Sequence, residues 1–351
     1  MSVRRLLPLL LLVLALPACG NDELASPGRT ATAASTVATT EATGRPLRVG
    51  LVTDIGGLDD RSFNFLANRG LTQAESELGV AGRVVVSRAN ADYVPNLSSL
   101  AKQDYDLVIA VGFLMADAVD VVSKQFPKVS FAIVDFSQKQ LKSKPANVRG
   151  LLFKEQEAGY LVGYLAGLVT KQEAGSKQVV GSVGGQRIPP VDRYIAGYQA
   201  GAKAASPGIV TLNAYSQDFV DQAKCKEAAL DQIARGAHVV FQVAGQCGLG
   251  ALSAVKEKNV RGIGVDADQA YLGPHVLTSA LKRVDVAVFQ TIQSARDGRF
   301  SGGGDTVYDV ASGGVGIGEV APDVPTELVS QVNAIQDEIA AGRVRIPVTV
   351  G

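Results

Sequence analysis

The sequence has few of the residue types that build metal centres or bind nucleic acids. It contains no tryptophan and only two histidines, His238 and His275, and neither has a partner at metal-ligand spacing. The 34 lysines and arginines balance 34 aspartates and glutamates, so the formal net charge is zero. The isolated histidines give no reason to expect a metal site. Because nucleic-acid-binding domains usually carry an excess of positive charge, we expect no nucleic-acid partner either.

Motifs of the common enzyme classes are also missing from the sequence. It has no Gly-x-Ser-x-Gly elbow, no phosphate-binding P-loop and no convincing cysteine–histidine pair. The glycine-rich run Gly313–Gly318 lies late in the chain and opens no βαβ unit, so it is a weak candidate for a dinucleotide loop. We therefore expect a binding protein that is not an enzyme and that uses no cofactor.

The N-terminus has the layout of a secretory signal peptide. Arg4 and Arg5 precede the apolar run Leu6–Leu16, which is too short to span a bilayer as a stable helix. Small residues and Cys19 follow in a pattern that resembles the bacterial lipobox. We predict a signal peptide over residues 1–18 and a lipid anchor on Cys19. The alternative is an ordinary signal peptide with an incidental cysteine.

The segment after the signal peptide has the composition of a flexible tether. Residues 19–46 are rich in Ala, Thr, Ser, Gly and Pro, and such a stretch buries too little surface to offset the entropy of ordering it. No later segment is apolar and long enough to cross a membrane. We expect a folded body held at the extracytoplasmic face of the cell membrane by its lipid anchor.

The body has the sequence pattern of an α/β protein. Short β-branched runs alternate with amphipathic stretches such as Ser62–Leu78, Glu157–Val169, Gln222–Arg235 and Pro325–Ala341, which predicts βαβ units and parallel sheets. The strand candidates are Arg48–Thr53, Val84–Ser87, Leu107–Val111, Ser130–Val134, Val148–Phe153, Val179–Val183, Ile209–Asn213, Val239–Val243 and Gly262–Val265. These are more strands than one small sheet needs, so we expect two doubly wound lobes with a ligand cleft between them.

The strand candidates also predict where the lobes divide. We expect lobe one to span residues 47–150, completed by about 281–317, and lobe two to span 151–280, completed by about 318–351. In this scheme Val148–Phe153 is a crossover between the lobes, and a second crossover near Val276–Ala280 returns the chain to lobe one.

Polar side chains, glycines and aromatics follow the predicted strands. They are Asp54, Asp60 and Asn64 after the first strand, and Phe113, Asp135, Gly245 and Asp266 after later ones. Ligands bind outside the carboxyl ends of strands in open parallel sheets. This set therefore suits a polar, ring-containing and neutral solute.

Five segments of the body resemble the basic membrane protein (BMP) family of lipoproteins, the PnrA-like substrate-binding proteins of ABC transporters. The segments are Thr53–Asn64, Phe153–Leu161, Val243–Gly250, Gly264–Gln269 and Leu277–Lys282. The resemblance implies a type I periplasmic-binding fold and a role as the extracytoplasmic solute receptor of an ABC importer. It also implies a nucleoside, of the purine nucleoside type, as the ligand, and permease and ATPase subunits as partners.

The resemblance assigns roles to individual positions. It places Asp54, Asp60 and Asn64 near the base, Phe113 and Asp135 at matching strand ends, and Asp266 and Lys282 on the ribose hydroxyls. Where relatives carry an aromatic residue before the glycine at position 70, this chain has Asn68. Phe65, Phe113, Tyr194 or Phe219 could supply the missing ring.

Several of these residues also have structural interpretations. Asp60 is well placed to cap the helix that begins near Ser62, and Phe113 could belong to the core. Lys282 could pair with a neighbouring aspartate. A carboxylate directly after a buried strand needs a partner or water. We therefore favour ligand contact for Asp266, and for Asp135 both ligand contact and a structural role stay open.

The two cysteines of the body are candidates for a disulfide. Cys225 lies in the first turns of a predicted helix, and Cys247 lies just past the end of the following strand. Helix and strand run antiparallel, so both cysteines fall on the cleft side of lobe two, in an oxidising compartment. The alternative is two free buried thiols.

Two other functions remain open at this point. A sensory or regulatory lipoprotein would use the same cleft for another small polar solute without a permease. A nucleoside-processing enzyme would release free base from a nucleoside.

Overall fold

The structure is a computed structural model that describes residues 45–175 and 177–351. The predicted signal peptide, Cys19 and the tether as far as residue 44 lie outside the described residues. Within those residues, no helix combines the length and the apolar character that a membrane span requires.

The described chain alternates strands and helices along its whole length. The strands are β1 Arg48–Val52, β2 Ala81–Val85, β3 Leu107–Val111, β4 Ser130–Val134, β5 Val148–Phe153, β6 Val179–Gly184, β7 Val210–Tyr215, β8 Val239–Val243, β9 Arg261–Asp266, β10 Val276–Lys282, β11 Gly304–Tyr308 and β12 Val315–Ile317. The helices are α1 Phe63–Leu78, α2 Tyr93–Lys102, α3 Ala116–Gln125, α4 Glu155–Glu173, α5 Pro189–Ala205, α6 Gln222–Ala234, α7 Gly245–Glu257, α8 Val284–Arg296 and α9 Thr326–Ala340.

The strands form two six-stranded sheets with equivalent strand orders. One sheet has the order β11-β5-β4-β3-β1-β2 and the other β12-β10-β9-β8-β6-β7. Neighbouring strands are parallel except β10 and β12, which are antiparallel. The central strands β3 and β8 are buried along their full length, as expected where helices cover both faces of a sheet. The prediction of two doubly wound lobes is confirmed.

The chain crosses between the sheets three times, after β5, after β10 and after β11. Lobe one contains β1–β5, α1–α3, α8 and β11. Lobe two contains α4–α7, β6–β10, β12 and α9.

The two stretches predicted as crossovers both lie in strands, and the first of them was also a strand candidate. Val148–Phe153 is β5 of the lobe-one sheet, and Val276–Ala280 lies in β10 of the lobe-two sheet. The crossings occur just after each strand, near Lys154 and Arg283. An apolar run predicts a strand, but it does not say whether the crossing comes within the run or after it.

Close packing between α4 and α5 brings the start of α4 towards the cleft. Gly159 and Gly163 of α4 lie against the α5 backbone, and a Cβ on Gly163 would fall 2.1 Å from the Tyr198 carbonyl oxygen. Only glycine allows the two helices to approach this closely. As a result Glu155, in the first turn of α4, lies beside Arg193 of α5.

In lobe two, Cys225 of α6 and Cys247 of α7 form a disulfide with a Cα–Cα distance of 5.6 Å. This separation is within the usual range for such bonds. Both side chains are fully buried in a small apolar cluster between the helices and the sheet.

Candidate ligand-binding site

A cavity lies where the carboxyl ends of the two sheets face each other. Its empty volume is about 620 Å³, including space that is open to solvent. Pockets of this size are typical for small organic ligands. All eight residues predicted to bind ligand line it: Asp54, Asp60, Asn64, Phe113, Asp135, Gly245, Asp266 and Lys282.

Much of the remaining lining is apolar or aromatic. Ile55 and Phe63 come from lobe one, and Ile188, Pro190, Val191, Tyr194, Phe219, Val243 and Val265 come from lobe two. The residues at the start of α5 were not predicted from sequence. Their signal was the Pro189-Pro190 pair soon after a strand end, since proline is common in the first turn of a helix.

The candidate replacements for the missing aromatic divide into two groups. Phe113, Tyr194 and Phe219 line the cavity, whereas Phe65 does not and is 41% exposed. Asn68 is not among the lining residues either. The aromatic walls of the cavity in this chain thus come from other positions.

Asp60 caps the start of α1 with both carboxylate oxygens. Oδ1 accepts hydrogen bonds from the backbone N–H groups of Ser62 and Phe65, each at 3.0 Å. Oδ2 accepts one from the N–H of Asn64 at 2.7 Å. Burial raises the pKa of Asp60 to about 6, and these three bonds oppose the rise. The carboxylate thus shapes the loop that follows β1.

Asp54 is held in the same loop. Its Oδ1 accepts hydrogen bonds from the Ile55 N–H at 2.7 Å and from the Tyr93 hydroxyl, and its own N–H donates to Asn64 Oδ1 at 3.0 Å. Gly112 makes room for the carboxylate, because a Cβ there would lie 2.5 Å from Asp54 Oδ2. Burial raises the pKa of Asp54 to about 6, against the effect of the Tyr93 hydrogen bond.

Asp266 at the end of β9 reaches across the cleft. Its Oδ2 accepts a hydrogen bond from Ser62 Oγ of lobe one at 2.8 Å, and its Oδ1 accepts one from Tyr194 Oη of lobe two at 3.2 Å. Burial raises the pKa of Asp266, while Lys282 and these two hydroxyls oppose the rise. These bonds use one lone-pair site on each oxygen and leave others for a ligand.

Lys282 lies at the centre of a buried network of charged groups. Its Nζ donates to Asp135 Oδ2 of lobe one at 2.7 Å and to Glu155 Oε1 of lobe two at 3.0 Å. Arg193 Nε donates to Glu155 Oε2 at 2.6 Å. Lys282 thus forms the ion pair that was one of its two predicted interpretations, and Glu155 is a partner that sequence reasoning missed.

The charges in this network act on each other. Burial acts to lower the pKa of Lys282, but the carboxylates of Asp135, Glu155 and Asp266 outweigh it and raise that pKa. Burial raises the pKa of Asp135 to about 6, and the Lys282 charge opposes the rise. The lysine is therefore charged at neutral pH. Its Nζ lies 2.6 Å from Asp135 Oδ1 as well as 2.7 Å from Oδ2, and 3.0 Å from Glu155 Oε1.

Comparison with known proteins places the chain in a family. Residues 47–349 match the family model described as "ABC transporter substrate-binding protein PnrA-like". The chain belongs to this PnrA-like family of ABC transporter substrate-binding proteins. This confirms the family predicted from the five sequence segments, and with it the function class of a solute receptor for an ABC transporter.

Two curated relatives align with most of this PnrA-like chain. The "CD4+ T-cell-stimulating antigen" of Listeria monocytogenes is 35% identical over 321 residues, which cover 85% of this chain and 87% of the relative. The "ABC transporter nucleoside-binding protein BmpA" of Lactococcus lactis is 33% identical over 323 residues, which cover 86% and 89%.

A solved structure shows the same architecture as this PnrA-like chain. A solute-binding protein of an ABC transporter system from Aeropyrum pernix superposes with a TM-score of 0.78 and 27% identity, covering 87% of this chain and 94% of that one. The type I periplasmic-binding fold, with a cleft between two lobes, is thus shared with a solved solute receptor.

Proposed function

We propose that this protein captures a nucleoside between its two lobes and delivers it to the permease and ATPase subunits of an ABC importer. The observation that carries the proposal is the cavity itself. Groups able to bind a sugar diol, Asp266 and Lys282, line it together with aromatic side chains, Phe113 and Phe219, that suit a planar base. The name of the Lactococcus relative, a nucleoside-binding protein, supports the same ligand class.

The ribose is assigned to Asp266 and Lys282. A vicinal diol offers two O–H donors, and an ionised carboxylate accepts them as charge-assisted hydrogen bonds. The spare lone pairs of Asp266 accept such donors, and an N–H of Lys282 that turns from a carboxylate to the ligand donates to a hydroxyl oxygen. Asp135 contributes by holding Lys282 in place from lobe one, where its Oδ2 lies 2.7 Å from Nζ.

The base is assigned to lobe one and to the aromatic walls. The bond from the Asp54 N–H uses Oδ1 of Asn64 and leaves the Asn64 amide nitrogen as a donor to a ring nitrogen or carbonyl. Stacking of a base on an aromatic side chain contributes roughly 1–3 kcal/mol in nucleic-acid complexes. Gly245 adds backbone to the opposite wall without a side chain. Asp60 stabilises the loop and is not assigned a direct contact.

The cavity favours neutral ligands over phosphorylated ones. Four aspartates and one lysine line it, and the lysine is already paired with two carboxylates. A phosphate group would have no unpaired cation among the lining residues and would be repelled by the aspartates. We expect nucleosides to bind more tightly than the corresponding nucleotides.

The protein acts as a receptor and not as an enzyme, held at the outer face of the membrane by a lipid on Cys19. Lipidation contributes about 0.8 kcal/mol of membrane affinity for each buried CH₂ group, so two or more acyl chains give stable attachment. Cys19→Ser should release the protein from washed membranes. Retention of that variant after a high-salt wash would contradict lipid anchoring.

The ligand class is tested by calorimetry on protein that has been unfolded, dialysed and refolded to remove any bound solute. The panel contains purine and pyrimidine nucleosides, the free bases, ribose, AMP and GMP. We expect at least one nucleoside to bind with a dissociation constant in the micromolar range or below, and AMP and GMP to bind more weakly than adenosine and guanosine. If the refolded protein binds no nucleoside, this ligand class is wrong.

A further inference from the structure

Phe219 reaches the cavity on a short loop between β7 and α6. This segment, Ser216–Asp221, is called the Phe219 loop below. The Phe219 ring lies against the end of β6, because a Cβ on Gly185 would fall 2.3 Å from its Cε1 atom. The ring therefore keeps this contact, and its place in the cavity wall, only while the loop stays close to the end of β6.

Local hydrogen bonds give the Phe219 loop its shape. Asp218 Oδ1 accepts hydrogen bonds from the N–H groups of Val220 and Asp221, at 2.8 and 3.1 Å. Ser216 Oγ donates to the Gly184 carbonyl oxygen at 3.2 Å. The far end of the loop is tied to α6, because Lys224 Nζ donates to Asp218 Oδ2 at 2.7 Å and the Ala223 N–H donates to Asp221 Oδ1 at 3.0 Å. The position of the loop over the rest of lobe two therefore depends on where the start of α6 is held.

The disulfide lies directly beneath the Phe219 loop. The Cys247 N–H donates to the Phe219 carbonyl oxygen at 3.0 Å, and Cys247 is bonded through its sulfur to Cys225. Cys225 lies in the first turn of α6, into which the loop leads. Gly245 and Gln246, which directly precede Cys247, also line the cavity. One bridge thus connects two segments of the cavity wall.

The fold of lobe two has other support at the same place. Helices α6 and α7 approach closely at Gly250, where a Cβ would fall 1.9 Å from the Gln222 carbonyl oxygen. Buried alanine, valine and leucine side chains surround the bridge. Loss of the disulfide therefore leaves the helix contact and the apolar cluster in place, while the Phe219 loop loses a covalent restraint.

We propose that the Cys225–Cys247 disulfide is a positioning element of the ligand site, which holds the Phe219 wall in its binding conformation before the ligand arrives. The proposal rests on the proposed function for its effect on affinity. A wall that is ordered in advance lowers the entropy that a ligand must overcome on binding. The bridge is therefore expected to strengthen binding of ring-containing ligands through Phe219 and not through the sugar contacts.

A double-mutant cycle tests the link between the bridge and Phe219. Mass spectrometry of unreduced peptides first verifies the bridge in the wild type. Cys225→Ala with Cys247→Ala should weaken adenosine or guanosine binding about three- to tenfold, and Phe219→Ala should weaken it by at least as much. The triple variant should bind no worse than Phe219→Ala alone, because the bridge has no ring left to position.

The matched control for this cycle is Asp266→Ala, whose contacts lie on the sugar side. Its loss of affinity should simply multiply with that of the cysteine pair. The positioning role is wrong if the losses of affinity from the cysteine pair and from Phe219→Ala also multiply. It is also wrong if replacing the cysteine pair leaves the affinity unchanged. A second pair, Cys225→Val with Cys247→Ala, fills more of the buried volume and repeats the test if the first variant does not fold.

Hydrogen exchange separates this inference from the proposed function. In ligand-free protein, amides of the Phe219 loop should exchange at least tenfold faster without the bridge, while amides of β8 and β9 stay unchanged. Faster exchange in a protein that binds no nucleoside would retain the positioning role and discard the ligand. Unchanged exchange in the Phe219 loop would overturn the positioning role whatever the ligand is.

Discussion

The two lobes share a strand order, but their buried charged groups find partners in different ways. In lobe one, Asp54 and Asp60 accept hydrogen bonds from groups of the same lobe, including Tyr93 Oη and three backbone N–H groups. In lobe two, Asp266 and Lys282 bond across the cleft to Ser62 and Asp135. Asp54 and Asp60 are therefore held entirely within lobe one, whereas Asp266 and Lys282 each have a partner across the cleft in addition to one in their own lobe, Tyr194 and Glu155.

Asp135 and Asp266 lie at equivalent positions of the two lobes but have different kinds of partner. Asp135 directly follows β4, and Asp266 is the last residue of the equivalent strand β9. Both have left-handed backbone, with φ of 70° and 61°. Aspartate is one of the few residues other than glycine that adopts this conformation readily. Asp135 is paired with a lysine, while Asp266 accepts only from two hydroxyls in this structure. Breaking the ion pair should therefore cost more than removing a hydroxyl.

The largest expected effect follows from removing the central cation. Lys282→Met leaves Asp135 and Glu155 buried with one positive partner fewer, and breaking a buried ion pair costs about 3–5 kcal/mol. We expect the free energy of unfolding in urea to fall by about that amount. The double variant Lys282→Met with Asp135→Asn should recover part of the loss. A single-variant loss below about 1 kcal/mol would mean that water reaches these carboxylates.

A smaller effect is expected from the lobe-one cap. Asp60→Ala removes an acceptor from three backbone N–H groups, and loss of such a cap costs about 0.5–2 kcal/mol. Thermal unfolding measures the loss, and Asp60→Asn is the matched control because asparagine also caps helices well. If Asp60→Asn is as unstable as Asp60→Ala, the charge and not the cap is what matters.

Ser62→Ala should act on closure more than on folding. It removes the hydroxyl that donates to Asp266 across the cleft, a contact that exists only when the lobes meet. A hydrogen bond to a charged group contributes about 1.5–3 kcal/mol, which sets an upper limit of about a 10- to 150-fold loss of nucleoside affinity. Calorimetry gives the affinity, and urea unfolding of the ligand-free protein should change little. If Ser62→Ala lowers the free energy of unfolding but leaves nucleoside affinity unchanged, this hydrogen bond does not contribute to closure of the lobes.

The dependence of stability on pH should reflect the lobe-one carboxylates. Asp54, Asp60 and Asp135 each have a pKa of about 6 in the folded protein, above the value of about 3.9 in an unfolded chain. The folded state then binds more protons between about pH 4 and 6, so the free energy of unfolding falls as pH rises through this window. His275 opposes this trend, because burial lowers its pKa.

Thermal unfolding of ligand-free protein at pH 5 and pH 7 measures this effect. We expect the melting temperature to be higher at pH 5 by about 2 °C or more, which is the shift that roughly 1 kcal/mol gives in a domain of 150–250 residues. Asp54→Asn should reduce the difference. A melting temperature that is higher at pH 7 would contradict the raised pKa values.

The cavity lining was largely predictable because parallel strands point their carboxyl ends the same way. That rule, with the family resemblance, predicts Asp54, Phe113, Asp135 and Asp266 as ligand-binding residues, and all of them line one cavity. Glu155 was not predicted as a partner of Lys282, although it lies in Phe153–Leu161, one of the five segments that resemble the family. Its place beside Lys282 depends on how α4 packs against α5, and the sequence does not show that contact.

The partners of the loop after β1 illustrate the same limit. Tyr93 lies 39 residues from Asp54 in the chain, and the packing of α2 against β1 brings the two together. The ring at Phe65 was a reasonable candidate for the cavity, since it is one position from Asn64. On a helix that single step turns the side chain by about 100° and directs it to solvent.

The most direct test of the account is whether Asp266 holds the sugar of a bound nucleoside. Calorimetry compares wild type and Asp266→Ala, each with a nucleoside and with its 2′,3′-dideoxy analogue. Losing a hydrogen bond to a charged group costs about 1.5–3 kcal/mol, or about a 10- to 150-fold loss in affinity. We expect either single change to weaken binding by that order, and both together to weaken it little further. Losses that simply multiply would show that Asp266 does not contact the sugar.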